Sequence, residues 1–194
     1  MRRKMYRKLM VIVAVLLLAG MTAACQPNAE SIFAEGLEQL ENNELEAALD
    51  SFDRAIEINP EFTAAYLARG QVYLDQEDLN SALSDYIRVT DLDPQSYEAH
   101  YQCAKINNEL GNIRDSIEDY SAAIELDPEN NQVIYERALL HFGSDEFDAA
   151  LVDLTDAITL GLQSGDAFTM RGGILLESGE YERAKEDFDR AIEL

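Results

Sequence analysis

The chain is 194 residues long and sets 38 acids against 15 bases, a formal charge of −23. Five of the bases stand in residues 1–24, which hold no acid, so the remainder carries 10 bases against 38 acids, or −28. Such a field repels nucleic acid and anionic headgroups, which are bound by clustered Lys and Arg, and it speeds the approach of basic proteins or peptides.

The N-terminus has a basic head of Arg2, Arg3, Lys4, Arg7 and Lys8, an apolar run over 9–19, and a finish of small residues at Thr22, Ala23 and Ala24. These are the three parts of a secretory signal, and the run is short for a membrane span. The stretch Leu18-Ala19-Gly20-Met21-Thr22-Ala23-Ala24-Cys25 resembles a bacterial lipoprotein lipobox, with Thr22 where that family usually places Leu. The resemblance implies cleavage after Ala24, lipid on Cys25, a short stub over 25–28, and export to the cell envelope. Gln26 after the cysteine resembles lipoproteins sent to the outer membrane of a two-membrane bacterium, facing the periplasm. Two or three acyl chains hold a protein firmly where one would exchange. Ordinary cleavage that leaves a free Cys25, and an uncleaved anchor, are the alternatives.

Beyond the stub, Pro60, Pro94 and Pro128 stand 34 residues apart and close the phrases Ile-Asn-Pro, Leu-Asp-Pro and Leu-Asp-Pro. A fixed period of this length signals stacked supersecondary units. Counted as position 32 of each unit, the prolines give five repeats over 29–62, 63–96, 97–130, 131–164 and 165–194. Position 8 is small (Gly36, Gly70, Ala104, Ala138, Gly172), position 20 is Ala or Ser, and position 24 is bulky (Phe52, Tyr86, Tyr120, Leu154, Phe188). Apolar residues at positions 17, 20, 21, 24, 27 and 28 give each second helix a stripe wide enough to be buried. This pattern resembles the tetratricopeptide repeat family. The resemblance implies an all-α fold, an α-solenoid of five helix-turn-helix repeats in a right-handed superhelical array.

Between the helices of each unit stand residues suited to helix ends, Asn42-Asn43, Glu77-Asp78, Gly111-Asn112, Ser144-Asp145 and Gly179-Glu180. Repeat 4 has Gly161-Leu162 in place of Asp-Pro, where Gly161 is expected to end the helix with a local change only. Position 7 is Arg in repeats 2, 4 and 5 (Arg69, Arg137, Arg171), and position 23 of the same repeats is Asp85, Asp153 and Asp187. Three ion pairs joining first and second helices are expected, partly buried, with the arginines as braces more than as anion hooks. Repeat 3 offers Cys103 against Asp119 and lacks the brace. Cys103 reads as a buried free thiol. At the C-terminal end Phe188, Ile192 and Leu194 are expected to stay uncovered, so that the natural chain continues or this end docks on a partner or a second copy.

No HExxH, paired CxxC or glycine-rich phosphate loop is present, and no metal, cofactor or catalytic residue is expected. His100 and His141 fall on first helices as core or groove residues. The rival reading makes them, with nearby carboxylates, the site of a metal-handling or enzyme-like protein. First helices line the concave side in the family, and the resemblance places Phe33, Leu37, Leu67, Gln71, Tyr101, Lys105, Tyr135 and Leu139 in the groove. This is an apolar and aromatic channel suited to a partner's extended segment or helix. The clamp that holds chaperone C-terminal carboxylates is approached only by Lys105 and Asn108 and reads as missing. The favoured function is a non-enzymatic adaptor, lipid-anchored at the envelope. It resembles tetratricopeptide lipoproteins that gather peptidoglycan hydrolases, assist pilus secretin assembly or serve outer-membrane protein insertion.

Overall fold

The computed structural model describes residues 28–194; the expected signal sequence over 1–24 and the expected lipidation site Cys25 lie outside them. Among the described residues there are ten α-helices and no strand. In chain order they are α1 (Ala29–Glu41), α2 (Leu45–Ile58), α3 (Thr63–Asp75), α4 (Leu79–Leu92), α5 (Tyr97–Glu109), α6 (Ile113–Leu126), α7 (Asn131–Gly143), α8 (Phe147–Thr159), α9 (Gly165–Glu177) and α10 (Tyr181–Glu193). Each repeat supplies one helical hairpin. None of the helices is long and apolar enough to cross a membrane. The chain divides into two compact units, one ending at Ala65 and the other running from Tyr66 to Leu194.

The hairpin turns share one backbone device. After each odd-numbered helix, one residue takes a left-handed conformation: Asn43 (φ 61°), Glu77 (φ 61°), Gly111 (φ 78°), Asp145 (φ 59°) and Gly179 (φ 84°). The next amide reaches back to a carbonyl five residues earlier, as in Glu44 N–H to Gln39 (2.8 Å) and Glu180 N–H to Leu175 (2.8 Å). This Schellman closure satisfies carbonyls that the helix end would leave bare. The same closure ends α8, where Gly161 has φ 93° and Leu162 N–H donates to Ala157 O at 3.0 Å. Leu162 is itself buried in the cluster that contains Ala157, so the departure from Asp-Pro is local. Helices α2, α4 and α6 instead run one residue longer and stop at Asn59, Asp93 and Asp127, whose backbone has left the helical region ahead of the prolines.

Small residues at position 8 let the paired helices approach. In the first unit a Cβ added at Gly36 would lie 2.6 Å from Phe52 Cε1, and Phe52 is fully buried. A second cluster of this unit joins Ala29, Ile32, Ala55 and Ala65. In the second unit Gly70 faces the Tyr86 ring and Gly172 the Phe188 ring. Ala104 and Ala138 fill the same place above Tyr120 and Leu154, and both are fully buried. Buried clusters in this unit run from one repeat into the next, as Ala104, Tyr120 and Val133 do, and as Leu154, Leu162 and Ala167 do. At the last repeat Phe188 is half-covered against Gly172, more than expected, while Ile192 and Leu194 are exposed.

Candidate protein-binding groove

The three expected braces form, each as a two-point contact. Arg69 Nε and Nη2 donate to Asp85 at 2.8 and 2.6 Å, Arg137 to Asp153 at 2.9 and 2.7 Å, and Arg171 to Asp187 at 2.8 and 2.6 Å. The aspartates are buried, so this paired geometry is what offsets their loss of water. Arg137 Nη1 also donates to Ser121 Oγ at 2.8 Å and so ties repeat 4 to repeat 3. Arginines engaged in this way are structural members of the hairpins.

Repeat 3 replaces the brace with weaker groups. Cys103 is buried, and its thiol is pushed up to about 12 by burial and, second, by the charge of Asp119. Asn107 Nδ2 donates to Asp119 at 3.0 Å, and His100 Nδ1 stands 3.7 Å from the same carboxylate. Burial raises the Asp119 pKa, against the lowering influence of Asn107 and His100. Ser116, where the other repeats have Ala, donates to Ala104 O at 2.7 Å inside the core. His100 Nε2 also meets Pro94 O of the preceding repeat at 3.2 Å, and His141 Nδ1 meets Glu146 of its own repeat at 2.6 Å. Among the described residues no group of three His, Cys, Asp or Glu is arranged to hold a metal ion.

The groove residues expected from sequence meet different fates. In the first unit Phe33 is half-buried, tilted on Phe52 (5.6 Å between centroids) and edge-on to Phe62 (5.1 Å), whereas Leu37 is exposed. In the second unit Leu67 is half-buried, and exposed Gln71 donates to Asp75 at 2.8 Å. Tyr135 packs against the core of repeats 4 and 5. Lys105 and Leu139 line an open depression, and Tyr101 lies beside Lys105. Tyr101 stacks on Tyr97 at 6.0 Å, Lys105 Nζ lies 5.4 Å from the Tyr101 ring centroid, and Leu139 is 39% exposed.

Two hollows meet at Lys105 and Glu109. The larger, about 460 Å³, has walls from Leu74, Leu79 and Ile106 with Glu77 and Gln102 at its polar edge. The smaller, about 190 Å³, is lined by Lys105, Asn108, Glu109, Tyr120, Glu136 and Leu139. Glu136 accepts from Tyr120 OH at 2.8 Å and from Tyr101 OH at 3.3 Å. Burial, followed by this carboxylate, raises both phenols, Tyr101 to about 12. Sequence reasoning passed over Glu109, Tyr120 and Glu136. Glu109 and Glu136 fall at inward positions 13 and 6, so their register was visible, but attention to apolar residues hid them. Tyr120 read as core, and only its hydroxyl reaches the pocket's carboxylate.

A tetratricopeptide repeat family model matches the chain in four overlapping stretches, 33–97, 67–131, 109–167 and 135–194. Among solved structures, MamA from Desulfovibrio magneticus RS-1 is 16% identical, with 86% of this chain and 94% of that one covered and a TM-score of 0.70. YrrB, described as a TPR protein with an unusual peptide-binding site, is 21% identical, with 86% of each chain covered and a TM-score of 0.73. Pseudomonas aeruginosa pilF is 17% identical, with 85% of this chain and 75% of that one covered and a TM-score of 0.62. Likeness at these identities is likeness of fold. No curated protein matches the chain.

Proposed function

This chain belongs to the tetratricopeptide repeat family, and from that premise we propose that it is a non-enzymatic adaptor, held at the bacterial cell envelope by lipid on Cys25, that binds protein or peptide partners along its first helices. The observation that carries this reading is the open depression lined by Lys105 and Leu139, with Tyr101 beside Lys105. Rigid aromatic and aliphatic side chains there lose little entropy on binding. His141 meets Glu146, and His100 meets Pro94 O and lies near Asp119. Among the described residues no group of three His, Cys, Asp or Glu could hold a metal ion, so the rival metal-handling reading gains no support. The anchor rests on the lipobox resemblance and the basic, apolar, small-residue order before it. A charge of −28 beyond residue 24 favours basic partners, whose approach should slow as salt is raised.

The test is capture of partners from detergent-solubilised envelope by the full chain and by a Leu37→Glu, Leu139→Glu variant. Both leucines are exposed, so helicity should hold while recovery falls. Equal recovery of every partner by both proteins would remove the groove reading. Mass spectrometry of the mature N-terminus checks the anchor, and an unmodified Cys25 would end it.

A further inference from the structure

Glu136 differs from the other carboxylates enclosed in the second unit. Asp85, Asp153 and Asp187 each have an arginine, and Asp119 has Asn107 with His100 beside it. Glu136 is half-buried and held by Tyr120 OH, Tyr101 OH and Gln132 Nε2, at 2.8, 3.3 and 3.4 Å. All three donors are neutral, and Glu136 makes no ion pair among the described residues. Its position is therefore fixed while its charge is left without a counter-charge, on the wall of a hollow of about 190 Å³. A partly desolvated carboxylate in that state gains most from a cation brought in from outside.

We propose that this hollow between α5 and α7 seats an arginine side chain of an extended partner segment, with Glu136 as its counter-charge. The inference deepens the adaptor reading and rests on it. A guanidinium is flat, donates at two points to one carboxylate and carries an aliphatic stem that packs on apolar side chains. Leu139 offers an aliphatic wall, Tyr120 presents its hydroxyl beside Glu136, and Glu109 adds a second negative charge. The adjoining hollow of about 460 Å³, with Leu74, Leu79 and Ile106, takes an aliphatic side chain of the same segment. Lys105 stands between the two hollows with its ammonium over Tyr101, at the place where an incoming cation would compete with it. Lys105 thus opposes the occupant, which sets this proposal apart from recognition of a carboxylate, where the same lysine would be an essential contact.

The test is NMR titration of the ¹⁵N-labelled full chain in detergent with N-acetyl-arginine amide, and separately with N-acetyl-glutamate amide. Arginine amide should shift the amides of Lys105, Asn108, Glu109, Glu136 and Leu139 and few others. Glu136→Gln, which removes the charge, keeps the side-chain shape and leaves one acceptor oxygen for the tyrosines, should weaken the effect about tenfold. Lys105→Ala should strengthen it about two- to threefold, and Glu125→Gln, an exposed loss of the same charge, should leave it unchanged. Shifts spread over the acidic surface and weakened equally by Glu125→Gln would overturn the proposal. So would binding of glutamate amide that Lys105→Ala abolishes. If envelope partners are still captured by Glu136→Gln while arginine amide shows no site, the pocket falls and the adaptor stands. If neither protein captures a partner, the adaptor reading falls with it.

Discussion

Alanine substitution at the three position-8 glycines separates two opposing effects of comparable size. Alanine in a helix interior is favoured over glycine by about 1 kcal/mol, because the unfolded chain has less backbone freedom to lose. Against this stands the fit of the new methyl. At Gly36 it would sit 2.6 and 2.9 Å from Phe52 Cε1 and Cδ1 and 3.2 Å from Ser51 Cβ. Phe52 is fully buried and braced by Phe33, so the ring has no free path of retreat. Overpacking of this kind costs about 1–3 kcal/mol, so Gly36→Ala should lose up to about 2 kcal/mol net. At Gly70 the nearest atom is Tyr86 Cε2 at 3.2 Å, a shortfall of a few tenths of an ångström. There the two effects should cancel to within about 0.5 kcal/mol. Gly172, 3.0 Å from Phe188 Cε1, should fall between them, since half-covered Phe188 can yield. Urea unfolding of the full chain followed by helical circular dichroism gives the order Gly36, Gly172, Gly70 from most to least destabilised. If Gly36→Ala stabilises the chain, or Gly70→Ala is the worst of the three, the close approach of ring to helix is not what selects glycine here.

The braces carry a second prediction: Arg137→Ala should cost about 3–5 kcal/mol, because Asp153 stays buried without its partner. The double variant Arg137→Ala, Asp153→Ala should be less damaged than that single change in the same urea assay; additive losses would refute the pairing. Asp119, raised by burial, binds its proton more tightly folded than unfolded. Its contribution is therefore fully present below the ordinary aspartate value and is lost as pH rises through the raised one. Unfolding curves from about pH 3 to about pH 8 should show wild type losing stability relative to Asp119→Asn as pH rises, and the opposite trend would contradict the burial argument. Glu77 adopts φ 61°, which costs a residue with a Cβ about 1 kcal/mol, so Glu77→Gly should raise the urea midpoint, and a lower midpoint would refute it. Cys103, buried with its thiol at about 12, should resist iodoacetamide at neutral pH until urea unfolds the chain, as followed by mass mapping of its peptide.

Much of this hairpin architecture is local, which is why it could be read from the chain. The positions of Gly36 and Phe52, or of Arg137 and Asp153, are set by a 16-residue step within one hairpin, and the hairpin is set by apolar period and turn chemistry. The left-handed residues were equally legible as Asn, Asp and Gly between periodic stretches, although Glu77 takes that place with no propensity for it. The groove was legible only in register. Phe33, Tyr135 and Leu139 share inward-facing registers, yet the first two pack into cores and only Leu139 stays open, because exposure depends on what the neighbouring helix brings.

The sequence by itself determined the hairpins, their caps and their paired charges, since these interactions join residues whose separation the repeat dictates. The tertiary structure alone decided that Tyr101 and Tyr120 of one repeat converge on Glu136 of the next, 35 and 16 residues away, and leave its charge unpaired. Side chains that meet across a repeat boundary depend on the offset between hairpins, and that offset is set by packing of many residues at once.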